Sequence, residues 1–309
     1  MANGIAVHAP APQAARRMTL QKLMRRRSTT ALALALPLIL LISGLVIYPA
    51  FFAMYLSMLD RKMETFTGMR NILFLMHFDT FWMVVKQSCI FAISAVFFKA
   101  LIGFVTSHLV HNLPPKGQRK WRGMLLVPWV IPTAMSTIAW FWLFDPAYSA
   151  INWILAKFGI ASIPWLGVTD WARFSVILVN VWYGAPFFLI MYLAALKSVP
   201  EQLYEAAAID GANWWQKIWY VTLPMMRNII SITVLFSLIV TFANFDIVRI
   251  LTSGGPIDQT HIFATWAFRL GIEGNDIPLG ASVSLFMFPI LAIAAYFILR
   301  DINRRGNEA

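Results

Sequence analysis

Residues 174–196 read FSVILVNVWYGAPFFLIMYLAAL, a stretch of 23 residues without a charged side chain. A helix needs roughly 20 apolar residues to cross the hydrocarbon core of a bilayer, so this stretch predicts a membrane span. The whole chain has the same character: 59% of its 309 residues are hydrophobic and 13% are charged. A typical soluble domain has about 25% charged residues. A disordered chain is therefore excluded, and a soluble enzyme is disfavoured.

Five further stretches have the length of a span. One of them, 87–110, is interrupted by Lys99, which we interpret as a lysine that snorkels or faces a neighbouring subunit rather than as a substrate contact. The segment 145–173 is cut by Lys157, Gly159 and Pro164, and we predict a re-entrant or surface helix there. The sequence thus predicts an all-α integral membrane protein with six transmembrane helices. In addition to 174–196, the predicted spans are 31–59, 87–110, 123–144, 228–245 and 277–299.

The distribution of lysine and arginine predicts the orientation of these spans. If the N-terminus is cytoplasmic, 83 residues face inside and carry 16 basic side chains, whereas 86 residues face outside and carry 7. Both termini are therefore predicted to be cytoplasmic, and much of the net charge of +11 is a topology signal rather than a sign of nucleic-acid binding. The predicted divisions are a basic arm at 1–30 that is disordered over its first fifteen residues, a six-span transmembrane domain at 31–300 with a loop at 197–227, and a tail at 301–309.

The sequence lacks the residue patterns of several kinds of chemistry. It has one cysteine, Cys89, and five histidines without an HExxH pattern, so neither a disulfide framework nor a metal site is predicted. No GxxxxGK[ST] loop is present to bind ATP, and no catalytic constellation stands out, so we predict that the chain is not an enzyme. None of the uncharged spans contains the carboxylate that ion-coupled transporters usually need. Work against a gradient would require energy from another chain.

The loop between spans four and five carries the most specific pattern, SVPEQLYEAAAIDGANWWQKIWYVTLP over residues 198–224. Ser198 and Glu201 have the spacing of a capping box, which predicts a cytoplasmic helix of about twelve residues. Gly211 suits the left-handed residue that ends such a helix. Tryptophans at helical spacing follow, and Pro224 is expected to close the unit before span five. Small alanines on a short, capped helix would allow another protein to approach closely, as a mechanical coupling element requires.

This loop resembles the EAA signature of permease subunits of binding-protein-dependent ABC importers. That signature reads EAA, three residues, G, nine residues, I, one residue, LP, and the spacing matches throughout, with Val221 at the isoleucine position. Four further stretches resemble elements of the sugar-type branch of the family, and the family's pattern is given in parentheses after each. They are 66–71 (FVGLxNY), 126–132 (LPWAIP), 142–153 (WLFNP…GLLN) and 180–188 (NVWKGLPFF). The resemblance implies that the following residues couple the permease to an ATPase: Glu205, Ala206, Ala207, Asp210, Gly211, Leu223 and Pro224.

The resemblance implies the transmembrane subunit of an ATP-driven importer in the bacterial inner membrane, and we expect a sugar or sugar-like solute. Expected partners are a second permease, an ATPase dimer on which ATP and magnesium act, and an extracytoplasmic binding protein; no cofactor is expected on this chain. Side chains that suit a sugar pathway, either as stacking rings or as polar partners, are Asn180, Trp182, Tyr183, Asn244 and Asp246. The alternative is an ion-coupled secondary transporter or channel that acts without an ATPase.

Overall fold

The chain is helical throughout the part that the structure describes. The computed structural model describes residues 27–306, and no β-strand occurs in that range, which confirms the predicted all-α class. The predicted disorder of the first fifteen residues lies outside the described residues, as do most of the arm and residues 307–309 of the tail. The helices up to the loop at 112–114 are α1 (Arg27–Ile42), α2 (Tyr48–Ser57), α3 (Arg70–Met76) and α4 (Asp79–His111).

Twelve further helices follow in the described range. Those in the middle of the chain are α5 (Pro115–Leu125), α6 (Val127–Val130), α7 (Thr133–Leu143), α8 (Ala150–Lys157) and α9 (Thr169–Ser198). The next four are α10 (Glu201–Ile209), α11 (Trp214–Lys217), α12 (Leu223–Phe242) and α13 (Asp246–Leu251). The last three are α14 (Phe263–Phe268), α15 (Ile277–Leu285) and α16 (Met287–Gly306), and π-helical turns lie at Ser43–Ile47, Ile218–Thr222 and Arg269–Glu273.

Five helical segments in the described range are long and apolar enough to cross a membrane. They correspond to predicted spans one, two, four, five and six, and they are Leu34–Ser57, Asp79–His111, Thr169–Ser198, Trp214–Phe242 and Ile277–Ile302. Four of them extend beyond the predicted limits at one or both ends, since a helix can continue past the apolar stretch that marks a span.

The third predicted span, 123–144, differs from the prediction. It is divided among α5, α6 and α7, and Ile131 between the last two is extended, with ψ of 133°. Pro132 explains the break, since the residue before a proline is pushed out of the helical conformation and proline cannot donate the helical hydrogen bond. Apolar content alone did not predict this division into three helices.

The chain divides after Phe52 into two compact units. The first contains, in its described part, α1, the π turn Ser43–Ile47 and the start of α2. Pro37 lies within α1 without ending it.

The second unit is organised around α4 and α9, which form the most extensive helix pair. They approach closely at Gly103, where an added Cβ would lie 2.3 Å from Cβ of Phe188. Helix α12 packs against both of them and against α16, and α13 packs on α7. These contacts bring α4, α9 and α12 side by side, which positions the polar residues described below.

The segment between α7 and α9 forms one short helix, α8, as predicted, and Asn152 organises the loop after it. The Asn152 side chain donates to Ser162 Oγ and the Ile163 carbonyl, and its Oδ1 accepts from the Ile163 amide and Trp165 Nε1. Asn152 is therefore a structural residue of this loop.

Candidate functional site

A cavity with several polar side chains in its wall lies between α4, α9 and α12. Its volume is about 80 Å³, enough for several water molecules. Among its lining residues, none carries a carboxylate. They are Lys99, Trp129, Asn180, Tyr183, Gly184, Phe187, Phe236, Ser237, Val240, Thr241 and Asn244.

Lys99 is buried at the wall of this cavity, with 5% of its surface exposed. Its Nζ donates to Thr241 Oγ1 at 2.9 Å, and Thr241 in turn donates to the Ser237 carbonyl at 2.6 Å. The interpretation of Lys99 as a snorkelling or subunit-facing lysine is therefore wrong for this structure. The side chain crosses to α12 because Gly184 of α9 leaves room: an added Cβ there would lie 2.7 Å from Lys99 Cε.

Aromatic rings form another part of the cavity wall. Trp129 lies on α6, and its ring is 5.9 Å from that of Phe187 on α9. Phe187 is in turn 5.3 Å from Phe236 on α12. The proline break at Pro132 thus has a consequence for the site, because the short helix that it bounds presents Trp129 to the cavity.

The structure brings together three of the five residues predicted for a solute pathway. Asn180, Tyr183 and Asn244 all line the cavity. Trp182 lies on a different face of α9, where its ring packs edge-on against that of Trp140 at 5.5 Å. Asp246 is exposed at the start of α13 and does not line the cavity.

Sequence reasoning missed several cavity residues, although a periodic signal was present. Ser237, Thr241 and Asn244 follow one another at spacings of four and three along α12 and just beyond it. The same spacings relate Asn180, Gly184 and Phe187 on α9. Residues three and four apart share one face of a helix, so the polar residues, together with Gly184 and Phe187, mark the faces that meet.

The loop 197–227 contains the predicted short helix, α10, but it begins differently. It has nine residues rather than about twelve, and its N-cap is Pro200, without a side-chain cap. The predicted capping box of Ser198 with Glu201 is wrong, because Ser198 ends α9 and its hydroxyl donates to the Ala195 carbonyl. A serine at the end of a preceding helix can bond back to that helix instead of capping the next one.

The end of α10 agrees with the sequence pattern. Gly211 has φ of +76°, the left-handed conformation that glycine adopts readily. The Ala212 amide donates back to the Ala207 carbonyl at 2.9 Å, as in a Schellman motif. Glu205, Ala206 and Asp210 are exposed on this helix, and Ala207 is half-buried.

A continuous helix follows the turn, and it is not closed by Pro224. Asn213 and Gln216 form a capping box that begins α11. From there one continuous helix, called the rod, runs from Trp214 to Phe242. The π turn Ile218–Thr222 lies just before Leu223 and Pro224. Such a wider turn accommodates a proline, whose ring would clash in a regular helix, so Pro224 lies within the rod instead of ending it.

One hydrogen bond joins α10 to this rod. The Tyr204 hydroxyl lies 3.0 Å from Thr222 Oγ1, and Thr222 donates to the Lys217 carbonyl, so Tyr204 is the donor. Thr222 is buried at 2% exposure. Neither residue was singled out from the sequence, because their contact spans eighteen positions.

A second polar cluster lies between α13 and α14. Arg269 pairs with Asp258 and donates to Nε2 of His261, while Nδ1 of His261 lies 3.0 Å from Thr265 Oγ1. Burial lowers the pKa of His261 to about 4; Glu273 raises this pKa and Arg249 lowers it further, both more weakly than burial acts. His261 is thus neutral near pH 7, with Nε2 as the acceptor and Nδ1 as the donor.

Comparison with known proteins gives consistent matches. Residues 99–305 match the family of binding-protein-dependent transport system inner membrane components. The trehalose/maltose transport system permease protein of Thermococcus litoralis is 30% identical over 288 residues, which cover 92% of this chain and 96% of that protein. The diacetylchitobiose uptake system permease protein of Streptomyces coelicolor is 29% identical over 290 residues, which cover 93% of this chain and 87% of that protein.

A solved structure shares the fold. It is the bacterial alginate ABC transporter in complex with an alginate pentasaccharide-bound periplasmic protein. The TM-score is 0.78 at 22% identity, and the match covers 90% of this chain and 95% of the solved one.

Proposed function

The chain belongs to the family of binding-protein-dependent transport system inner membrane components, and we propose that it forms part of the solute pathway of a sugar importer driven by a separate ATPase. It is a multi-pass inner-membrane protein and the permease subunit of a sugar ABC importer, as its relatives are. The proposal assigns solute binding to the cavity and the response to ATP to the loop 197–227.

One observation carries the proposal: a single helical rod joins the two candidate sites. The segment Trp214–Phe242 contacts α10 through Thr222 at one end and lines the cavity with Ser237 and Thr241 at the other. At 1.5 Å per residue, Thr222 and Thr241 are roughly 30 Å apart along this rod. A movement of α10 would therefore reach the cavity through one element, and rigid elements are what rigid-body switching requires.

We propose that α10 docks on the ATPase. Glu205, Ala206 and Asp210 are exposed, and small alanines allow close approach of a partner surface. Gly211 sets the direction of the chain between α10 and the rod, and Leu223 and Pro224 lie where the rod passes the π turn. ATP and magnesium act on the partner ATPase dimer, and this chain binds no cofactor in the proposal.

The residues that line the cavity suit contact with a sugar, although its volume of about 80 Å³ in this structure admits only part of one. Aromatic rings such as Trp129 offer apolar faces for a sugar ring, and Asn180, Tyr183 and Asn244 offer hydrogen-bond partners for hydroxyl groups. We propose that a second permease completes the pathway and that an extracytoplasmic binding protein delivers the solute.

We further propose six crossings with both termini in the cytoplasm. The third crossing would be made by α6 and α7, broken at Pro132, since irregular backbone is tolerated in a membrane where protein or a cavity surrounds it. The basic excess in the segments proposed to face inside, 16 against 7, supports this orientation.

The test is uptake of a labelled sugar panel by proteoliposomes that contain the complete importer and its binding protein. We expect uptake that requires ATP and that is independent of an imposed sodium or proton gradient, because no carboxylate lines the cavity to carry an ion. Uptake by the permease chain alone, driven by an ion gradient without the ATPase, would contradict the proposal and favour a secondary transporter.

A further inference from the structure

Lys99 presents a buried amino group without an anion beside it. Only 5% of its surface is exposed, and within residues 27–306 no carboxylate oxygen lies within 4 Å of its Nζ. A charged group of this kind is costly to bury, and buried charges are normally paired. Within residues 27–306, Lys99 thus lacks a negatively charged partner.

The hydrogen bonds around Lys99 are also incomplete. An ammonium group has three donors, and the structure pairs one of them, with Thr241 Oγ1. Thr241 donates its own proton to the Ser237 carbonyl, so it acts towards Lys99 purely as an acceptor. Two N–H donors of the ammonium group lack protein partners among the described residues.

The side chain is nevertheless held in place. Its stem lies against Gly184, where no larger residue fits without moving it, and its tip is tied to α12. Asn180, 3% exposed and lining the same cavity, has an Oδ1 atom without a partner in the described chain. The cavity therefore combines a fixed lysine side chain with an unpaired amide oxygen.

We propose that this cavity selects an anionic sugar: the carboxylate, sulfonate or phosphate group of the sugar enters the cavity, whose volume of about 80 Å³ fits such a group, and Lys99 binds it. The inference rests on the proposed function, since it concerns the solute of the same pathway. The anion of the solute supplies the missing counter-charge and accepts the free N–H donors, and a charge-assisted hydrogen bond is stronger than a neutral one. A neutral sugar of equal size leaves the ammonium group unpaired.

The experiment compares three labelled disaccharides that have the same two rings. They are maltose, the uronate of maltose in which one C6 is a carboxylate, and the analogue in which C6 carries a sulfonate. The complete importer with its binding protein is reconstituted in proteoliposomes, and the initial rate of ATP-dependent uptake is measured. We expect the wild type to import at least one acidic disaccharide ten or more times faster than maltose.

Two variants assign this preference to Lys99 rather than to the binding protein, which is the same in every sample. Lys99→Met removes the cation, and Thr241→Asp supplies an internal counter-charge. Both should lower the acidic-to-neutral uptake ratio at least tenfold. The two substitutions alter packing differently, so the test needs only one of the two variants to assemble with the ATPase. Co-purification of the ATPase reports that assembly. Lys157→Met, which removes an exposed charge on α8, is the matched control and should keep the wild-type ratio.

The outcomes are distinguishable. An acidic-to-neutral uptake ratio below ten for both acids in the wild type, or an unchanged ratio in an assembled variant, would overturn the anionic selectivity while leaving a sugar importer in place. ATP-independent uptake of every sugar would instead overturn the proposed function.

Discussion

At the scale of single residues, burial decides the state of His261. Its neutral ring accepts from Arg269 at Nε2 and donates to Thr265 from Nδ1, and Asp258 pairs with the same arginine. Gly254, with φ of +89°, lies against the ring so closely that an added Cβ would be 2.2 Å from it. The loop is therefore packed around an uncharged histidine, and protonation would place a second cation beside Arg269.

This arrangement predicts a pH dependence of stability. The pKa of His261 is about 4 in the folded chain, against roughly 6.5 for a solvated histidine. Between these values the unfolded chain binds a proton that the folded chain does not, so the unfolding free energy should fall as pH drops from about 6.5 to 4, by about 1.4 kcal/mol per pH unit at most. Thermal unfolding of the detergent-solubilised protein would measure it. His261→Gln should flatten the dependence, whereas the exposed His77→Gln should retain it.

At the scale of elements, the turn after α10 combines a local requirement with a mechanical one. Gly211 is exposed, has a positive φ, and donates its amide to the Ala208 carbonyl at 3.1 Å. Proline fixes φ near −65° and lacks that amide. The turn is therefore sensitive to proline although nothing packs against Gly211.

We expect Gly211→Pro to lower ATP-driven uptake at least tenfold and to reduce the amount of ATPase that co-purifies, with the permease still inserted in the membrane. Gly159→Pro is the matched control: Gly159 has φ of +74° and a similar amide bond to the Ala156 carbonyl, but it follows α8, away from the loop 197–227. Equal effects of the two substitutions on ATPase retention would show that the turn after α10 has no special role in coupling.

At the scale of the whole molecule, the proposed mechanism depends on how the chain crosses the membrane. The docking helix α10 and the ATPase must share the cytoplasmic side, and the loop that contains Asp258 must face the opposite side. Within residues 27–306, the five long apolar helices and the broken segment α6 to α7 give an even number of crossings if all of them span.

Reporter fusions test this topology. A reporter that is active only in the periplasm should be silent after Ala309 and active when it is inserted near Asp258. The broken segment α6 to α7 allows a third fusion site. A reporter inserted within 145–149, just after α7, should be active as well. Activity at Ala309, or silence at both internal positions, would contradict the six-crossing arrangement.

The sequence by itself determined the class of the protein, because long uncharged stretches and the spacing from Glu205 to Pro224 are local properties of the chain. It also predicted the left-handed Gly211, which depends on the backbone of a single residue. The length of α10 was predicted less well, since Ser198 could bond to either of two helices and only the fold decided between them.

Tertiary structure alone decided the cavity. Lys99 and Thr241 are 142 positions apart, and their contact depends on how α4 packs against α9 and α12. The same packing directs Tyr183 into the cavity and its neighbour Trp182 towards Trp140, although both are suitable rings for a sugar. Neighbouring residues on a helix point about 100° apart, so composition identifies both candidates and only the meeting of helix faces selects between them.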